Sequence, residues 1–223
     1  MDVVLNIFFN TEIIQKVWPF LLQGLWMTVL LSITVVPLGV AAGLMVAIAG
    51  TQGPRWLRWM TIIYVDFFRA FPPLVLLILI YFGVPFLQID MPKFVAVALG
   101  FLLNTSSYYG EVFRAGLESV PRGQSEAARS TGLSQTQTLM HVVVPQATRN
   151  VLPELISNTL EVIKLTALAS VVAMPELLNN ARQAQALTYN PTPIVLAALM
   201  YLALLWPIVR LLSKLEHRAT SVR

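Results

Sequence analysis

The stretch LWMTVLLSITVVPLGVAAGLMVAIAG, residues 25–50, decides the class of fold. It is mostly aliphatic or small and carries no charged side chain. A helix needs roughly 20 such residues to cross a hydrocarbon core about 30 Å thick. Largely aliphatic runs, each with one or more charged residues, recur near residues 56–88, 94–117, 151–174 and 193–213. In lipid only helices and closed barrels satisfy every backbone polar group. These runs lack the alternating strands of roughly ten residues that build a barrel. The expectation is an all-α integral membrane protein with five transmembrane helices.

The whole chain of 223 residues is 57% hydrophobic and 12% charged, and its mean hydropathy is +0.70. An average soluble domain is about 25% charged, so this chain is solvated mainly by lipid. Met1 to Lys16 has no basic start and contains Asp2 and Glu12, which does not read as a cleaved signal. The absence of cysteine excludes disulfides and thiolate metal sites. A net charge of +4 invites nucleic acid as a partner, but its distribution fits a membrane topology better. With the N-terminus outside, Arg55, Arg58, Arg114, Arg122, Arg129, Arg149, Arg210, Lys214, Arg218 and Arg223 lie inside, against Lys16, Lys93 and Arg182 outside. That asymmetry follows the positive-inside rule and sets the N-terminus out and the C-terminus in.

Three regions are expected: an outer segment 1–16, a transmembrane body 17–213 with an inner loop 118–150, and an inner tail 214–223. The first span begins after Pro19, and its Gly24, Gly39, Gly43 and Gly50 permit close helix approach. Gly53-Pro54 turns the chain. Residues 56–82 form a helix of about 40 Å, broken or kinked at Pro72-Pro73. Gly83 to Pro92 is a short outer loop. In the third span Asn104, Ser107, Tyr108, Glu111 and Arg114 recur every three or four residues and form one polar face. Such a face belongs against protein or water rather than lipid. The fourth span carries Glu154, Asn158, Glu161 and Lys164, and residues 179–193 read as an outer loop.

The stretch 122–150 is the one long hydrophilic segment. Glu126-Ala127-Ala128-Arg129 forms helix well, Gly132 ends it, and Ser134 with Gln137 has the spacing of a capping box that opens a second helix. That second helix is expected to end before Pro145. Two ordered short helices beside a membrane imply a partner.

Glu126-Ala127-Ala128, three residues, Gly132, nine residues, then Val142, Val144 and Pro145 resemble the cytoplasmic signature of binding-protein-dependent ABC importer permeases. Gly24, Thr28 and Ser32, Tyr64 to Arg69 with Pro72, Tyr81 to Pro85, Val120 to Gln124, Ala167 to Val171 and Pro175 to Leu178 are similar to the polar amino-acid branch of that family. The resemblance implies the type I importer permease fold and uptake of a polar or charged amino acid, or an opine, across a bacterial inner membrane. It implies ATPase-coupling roles for Glu126, Ala127, Ala128, Gly132, Leu133 and Pro145. It also implies an ATPase homodimer that binds ATP and Mg, a periplasmic amino-acid-binding protein, and a second permease chain, a paralogue or an identical copy.

Two departures qualify the resemblance. Phe71 stands where relatives have a small polar residue, and Leu165 where many have an aspartate able to contact a substrate amino group. Either the substrate differs, or the partner permease carries the principal binding residues, which we prefer. Glu161 and Lys164 at helical spacing are a structural pair or a substrate clamp, and Asn104 and Ser107 line a path or bond between helices. Phe71 joins them as a path candidate. Asp66 with Arg69 and Glu111 with Arg114 read as braces. His141 and His217 lack further metal ligands. No Gly-x-x-x-x-Gly-Lys-Ser/Thr is present, so the chain itself is expected to hold no cofactor and to be no enzyme. The rival classes are a secondary transporter or channel without an ATPase, disfavoured by the lack of inverted repeats, and a non-transporting membrane scaffold.

Overall fold

The computed structural model describes residues 7–220, without the side chains of residues 212, 213 and 215–220. Expectations on Asp2 and Arg223, and on the side chains of His217 and Arg218, fall outside these described residues. Among the described residues all regular structure is helical. In chain order the helices are α1 (Thr11–Gln52), α2 (Arg55–Ala70), α3 (Pro73–Ile78), α4 (Lys93–Ser119), α5 (Arg122–Ser130), α6 (Gln135–Thr138), α7 (Val144–Asn150), α8 (Leu152–Leu165), α9 (Leu177–Thr188) and α10 (Thr192–Thr220). Tighter or wider turns extend α3 through Leu87, join α6 to α7, and extend α8 to Val172.

Thr11–Gln52, Leu152–Val172 and Thr192–Leu211 are long and apolar enough to cross a membrane, and a fourth span results if the broken pair Arg55–Ala70 and Pro73–Leu87 is one crossing. The break at Phe71-Pro72 agrees with the expected one. The remaining expected span, residues 94–117, is helical throughout as part of α4, but its second half is too polar to count by composition. Its length of 27 residues reaches about 40 Å.

The chain divides into two compact units. The first comprises Met1–Val35, Pro73–Phe101 and Leu160–Leu212, the second Val36–Pro72, Leu102–Thr159 and Ser213–Arg223. In the first unit Val17 and Leu21 of α1 pack with Leu177, Ala181 and Ala184 of α9 and with Ala197 and Met200 of α10. α9 corrects the expectation of an outer loop over residues 179–193. Its Leu177, Ala181 and Ala184 fall at helical spacing and are buried together with Asn179 and Asn180, whereas Arg182 and Gln183 are exposed. Glu176 is 0% exposed and accepts from the Leu178 and Asn179 amides at 2.9 and 2.6 Å and from the Tyr201 hydroxyl at 2.8 Å. Burial pushes its carboxyl above the usual range, against the pull of those donors. Asn180 Nδ2 donates to Phe20 O at 2.8 Å, and the Leu177 amide to Thr28 Oγ1 at 3.2 Å.

Helix α1 starts earlier than expected, at Thr11 rather than after Pro19. Asn10 Oδ1 accepts from the Glu12 and Ile13 amides, both at 3.1 Å, and so caps the helix. The helix continues through Pro19 and Pro37, as membrane helices tolerate.

In the second unit α1 and α4 approach closely at Gly43. A Cβ there would collide with Tyr109 Cβ and stand 2.8 Å from Gly110 N. The polar face of α4 packs on α2. Tyr64 and Ser106 share a hydroxyl hydrogen bond of 2.6 Å, and Asn104 Nδ2 donates to Phe68 O at 3.1 Å. The guanidinium of Arg69 lies 5.6 Å from the Tyr108 ring centre.

Candidate functional site

The hydrophilic loop of the second unit is helical on both sides of a short turn. α5 starts after Pro121 and carries Arg122, Ser125, Glu126 and Arg129 on one face, at positions i, i+3, i+4 and i+7. Glu126 and Ala127 are exposed, whereas Ala128 is only 8% exposed and faces the protein. The helix ends through local hydrogen bonds. Ser130 Oγ donates to Glu126 O at 3.0 Å, Thr131 Oγ1 to Ala128 O at 2.8 Å, and the Gly132 amide to Arg129 O at 3.0 Å. Gly132 has φ +93°, a conformation strained for any residue with a Cβ, although open space surrounds it. The bend therefore needs glycine for its backbone and not for room.

Leu133 is half-buried, and the capping box then forms as expected. Gln137 N donates to Ser134 Oγ at 3.3 Å while Ser134 N donates to Gln137 Oε1 at 2.8 Å. The second helix does not stop before Pro145. Leu139–Val143 is a wide π turn and Pro145 sits in the first turn of α7. Proline has no N–H, so the run passes through Pro145 lacking one backbone hydrogen bond, at the junction where the π turn meets α7. The helical run from Gln135 thus reaches Asn150, and Gln146 Nε2 donates to Gln124 Oε1 on α5 at 3.3 Å. Asn150 Nδ2 donates to Ser119 Oγ at the end of α4, at 2.8 Å. Each of the six loop residues singled out in the sequence therefore lies on one braced helical hairpin.

The path candidates divide between the units. In the second, Asn104 and Ser107 are 3% and 0% exposed. Ser107 Oγ donates to Asn104 O at 2.6 Å, and both take part in helix packing. Phe71 caps α2 and stacks on Phe67 with ring centres 5.3 Å apart. In the first unit, Glu161 and Lys164 form an ion pair and both are exposed. Of the expected braces, Glu111 and Arg114 hold at 2.7 Å. Arg69 makes its ion pair with Glu111 at 3.8 Å, across to α4, rather than with Asp66 one turn back. Arg114 also reaches Glu118 at 2.7 Å.

A model of the family described as "Binding-protein-dependent transport system inner membrane component" matches residues 36–221. The chain belongs to that family. Two curated relatives from Bacillus subtilis (strain 168) cover nearly its whole length. The probable amino-acid ABC transporter permease protein YckA is 36% identical over 88% of this chain and 87% of its own. The L-cystine transport system permease protein TcyB is 34% identical over 91% and 86%. Among solved structures, one titled "Crystal structure of an amino acid ABC transporter with histidines" matches with a TM-score of 0.82 and 32% identity, over 92% of this chain and 96% of its own. An inward-facing structure of the MetNI methionine ABC transporter shares the fold alone, with a TM-score of 0.76 at 18% identity over 90% and 96% of the two chains. The fold is that of type I ABC importer permeases, and the helical hairpin lies inside the matched family region.

Sequence reasoning missed two features of this permease. The buried acceptor Glu176 was visible only as part of a family resemblance. The joined network of Arg69, Glu111, Arg114 and Glu118 was half visible, since i, i+3 spacing reveals a pair within α4 but not the arginine that approaches from α2.

Proposed function

We propose that the chain is the membrane-crossing subunit of an ATP-driven importer that carries a polar or charged amino acid, or an opine, from periplasm to cytoplasm. The observation that carries this reading is the braced hairpin with exposed Glu126 and Ala127 at the tip-facing helix and the glycine-dependent bend at Gly132. A short rigid helix tied by Gln124 and Gln146 to the next helical run transmits displacement, whereas a flexible loop would absorb it. The names of the relatives support an amino acid as cargo. The chain sits multi-pass in a bacterial inner membrane, N-terminus out and C-terminus in, as the arginine distribution favours.

In this mechanism an ATPase homodimer receives α5 and binds ATP and Mg, while this chain pairs with a second permease, preferably a paralogue. A periplasmic amino-acid-binding protein delivers the cargo on the outer side. ATP-driven closure moves α5 and the helices attached to it, opening the path outward, and hydrolysis resets it inward. The coupling arises because ATP and the loaded binding protein both favour the outward state. Glu161, Lys164, Asn104, Ser107 and Phe71 are the candidates for contact with the passing cargo. A glutamate suits an ammonium or guanidinium and a lysine suits a carboxylate.

The test is ATP-dependent uptake in proteoliposomes containing both permeases, the ATPase and the binding protein. Glu126→Lys should lower uptake at least tenfold while the ATPase still hydrolyses ATP, because a contact of a few kcal/mol at the docking surface is lost. Unchanged uptake would sink the coupling assignment. For the cargo, the binding protein is screened by thermal shift against amino acids, sugars and peptides, and stabilisation by sugars or peptides alone would remove the amino-acid assignment.

A further inference from the structure

Helix α2 stops at Ala70, and Phe71 after it is extended, with φ −81° and ψ 127°. Pro72 and Pro73 carry no backbone N–H, and each biases the residue before it away from helix. In a continued helix residue 72 would donate to the carbonyl of Phe68, and residue 73 to that of Arg69. The break therefore opens those two carbonyls, while the carbonyl of Phe67 still receives the Phe71 amide at 2.9 Å. At membrane depth there is no bulk water to satisfy such groups, so a neighbouring helix has to supply the donors.

α4 supplies them. Asn104 Nδ2 donates to Phe68 O at 3.1 Å, and the Tyr108 hydroxyl donates to Arg69 O across a longer 3.4 Å. Asn104 is 3% exposed. One turn further along α4, Glu111 takes the ion pair from Arg69, whose guanidinium also lies against the Tyr108 ring. Ordinary interhelical bonding accounts for a buried polar side chain finding some partner. It does not account for two donors, one turn apart on α4, meeting the two consecutive carbonyls that two consecutive prolines leave open. The opposite end of α4 belongs to the loop hairpin. Asn150 Nδ2 donates to Ser119 Oγ at 2.8 Å, α5 starts after Pro121, and Gln146 ties α7 back to Gln124. A single continuous helix thus joins the hairpin to the end of α2.

We propose that Asn104, with Tyr108 as a weaker second, is a positioning residue of the transport cycle: it stands in for the N–H that Pro72 lacks and fixes the broken end of α2 to α4, so that displacement of the α5 hairpin is delivered to the break. This rests on the importer reading. A break whose carbonyls are paired moves as one body with the helix that pairs them, whereas open carbonyls fray or draw in water. Asn104 then acts on the cargo through α2, which sets it apart from the other candidates for cargo contact.

The experiment follows uptake per ATP hydrolysed in the proteoliposomes described above, with the amino acid selected by the thermal-shift screen. Asn104→Leu should lower that ratio about fivefold, the size of one hydrogen bond, and Tyr108→Phe, which keeps the ring, about twofold. Pro72→Ala returns a backbone N–H and frees Phe71 to turn helical, while Pro73 still ends the helix one residue later. In the Pro72→Ala background Asn104→Leu should therefore cost less than twofold. A cargo contact or a general packing role for Asn104 gains nothing from an N–H at residue 72. Thr105→Val removes a neighbouring buried hydroxyl that bonds within α4, to Leu102 O, and should leave the ratio unchanged. The permease chain alone in nanodiscs gives a second readout: amide exchange over residues 69–71 should quicken about fivefold in Asn104→Leu and recover with Pro72→Ala. An unchanged ratio in Asn104→Leu, a loss undiminished by Pro72→Ala, or an equal loss in Thr105→Val would overturn the proposal. Absence of ATP-dependent uptake by the parent would instead count against the importer reading, and the exchange readout then decides by itself whether Asn104 holds the break. Tyr108→Phe keeps the test open where Asn104→Leu misfolds.

Discussion

The stretches 122–150 and 176–190 are both polar segments, yet α5 exposes Glu126, Ala127 and Arg129 while α9 buries Leu177, Asn179, Asn180, Ala181 and Ala184. The end of α5 and the bend after it are framed by bonds within their own neighbourhood, Ser130 to Glu126, Thr131 to Ala128, and Ser134 with Gln137, and one longer bond, Gln146 to Gln124, ties α5 to α7. α9 is framed by bonds to distant residues, Tyr201 to Glu176 and Asn180 to Phe20. Polarity alone therefore does not distinguish an exposed segment from a buried one. The partner of each polar group does.

The contrast predicts that damage to the α9 region costs stability, whereas damage to the loop costs coupling. The largest effect is expected from Glu176→Ala, which strands two amides and a buried hydroxyl and should destabilise the chain by about 3–5 kcal/mol. Thermal unfolding in detergent measures it, and a near-wild-type midpoint would show that α9 is not held by this carboxylate. Gly43→Ala should follow at about 1–3 kcal/mol from the forced contact with Tyr109. A variant as stable as the parent would mean that α1 shifts freely on α4.

Gly132→Ala should cost about 1–2 kcal/mol for its left-handed backbone, with a larger relative loss of uptake than of stability. Equal losses would erase the distinction between the two regions. Ser134→Ala removes the capping box and should cost about 1 kcal/mol, read as faster amide exchange over residues 135–138 with little change elsewhere. Lys164→Met should be the mildest for stability, within about 0.5 kcal/mol, because the Glu161–Lys164 pair is exposed. A raised KM for uptake at unchanged stability would mark the pair as a cargo contact, and an unchanged KM would leave it a surface pair.

The physical basis of legibility differs along the chain. The helix end at Gly132, the capping box at Ser134 and the break at Pro72-Pro73 were readable because each rests on backbone chemistry within about four residues. The passage of the helical run through Pro145 was not, since it depends on the π turn Leu139–Val143, which no residue type demands. The same limit applies to α9: its alanine spacing was present in the sequence, but an exposed helix has that spacing too when its polar groups face water.

By itself the sequence determined the solvent of this chain, its helical class and the hairpin of residues 122–150, because lipid leaves the backbone no alternative to internal hydrogen bonds and turn residues act locally. Only the tertiary structure decided that Arg69 reaches Glu111 instead of Asp66, that Glu176 is buried, and that Asn104 and Tyr108 meet the carbonyls of Phe68 and Arg69. Those outcomes join residues far apart in the chain, and spacing along a sequence carries no record of which distant group arrives to meet a charge.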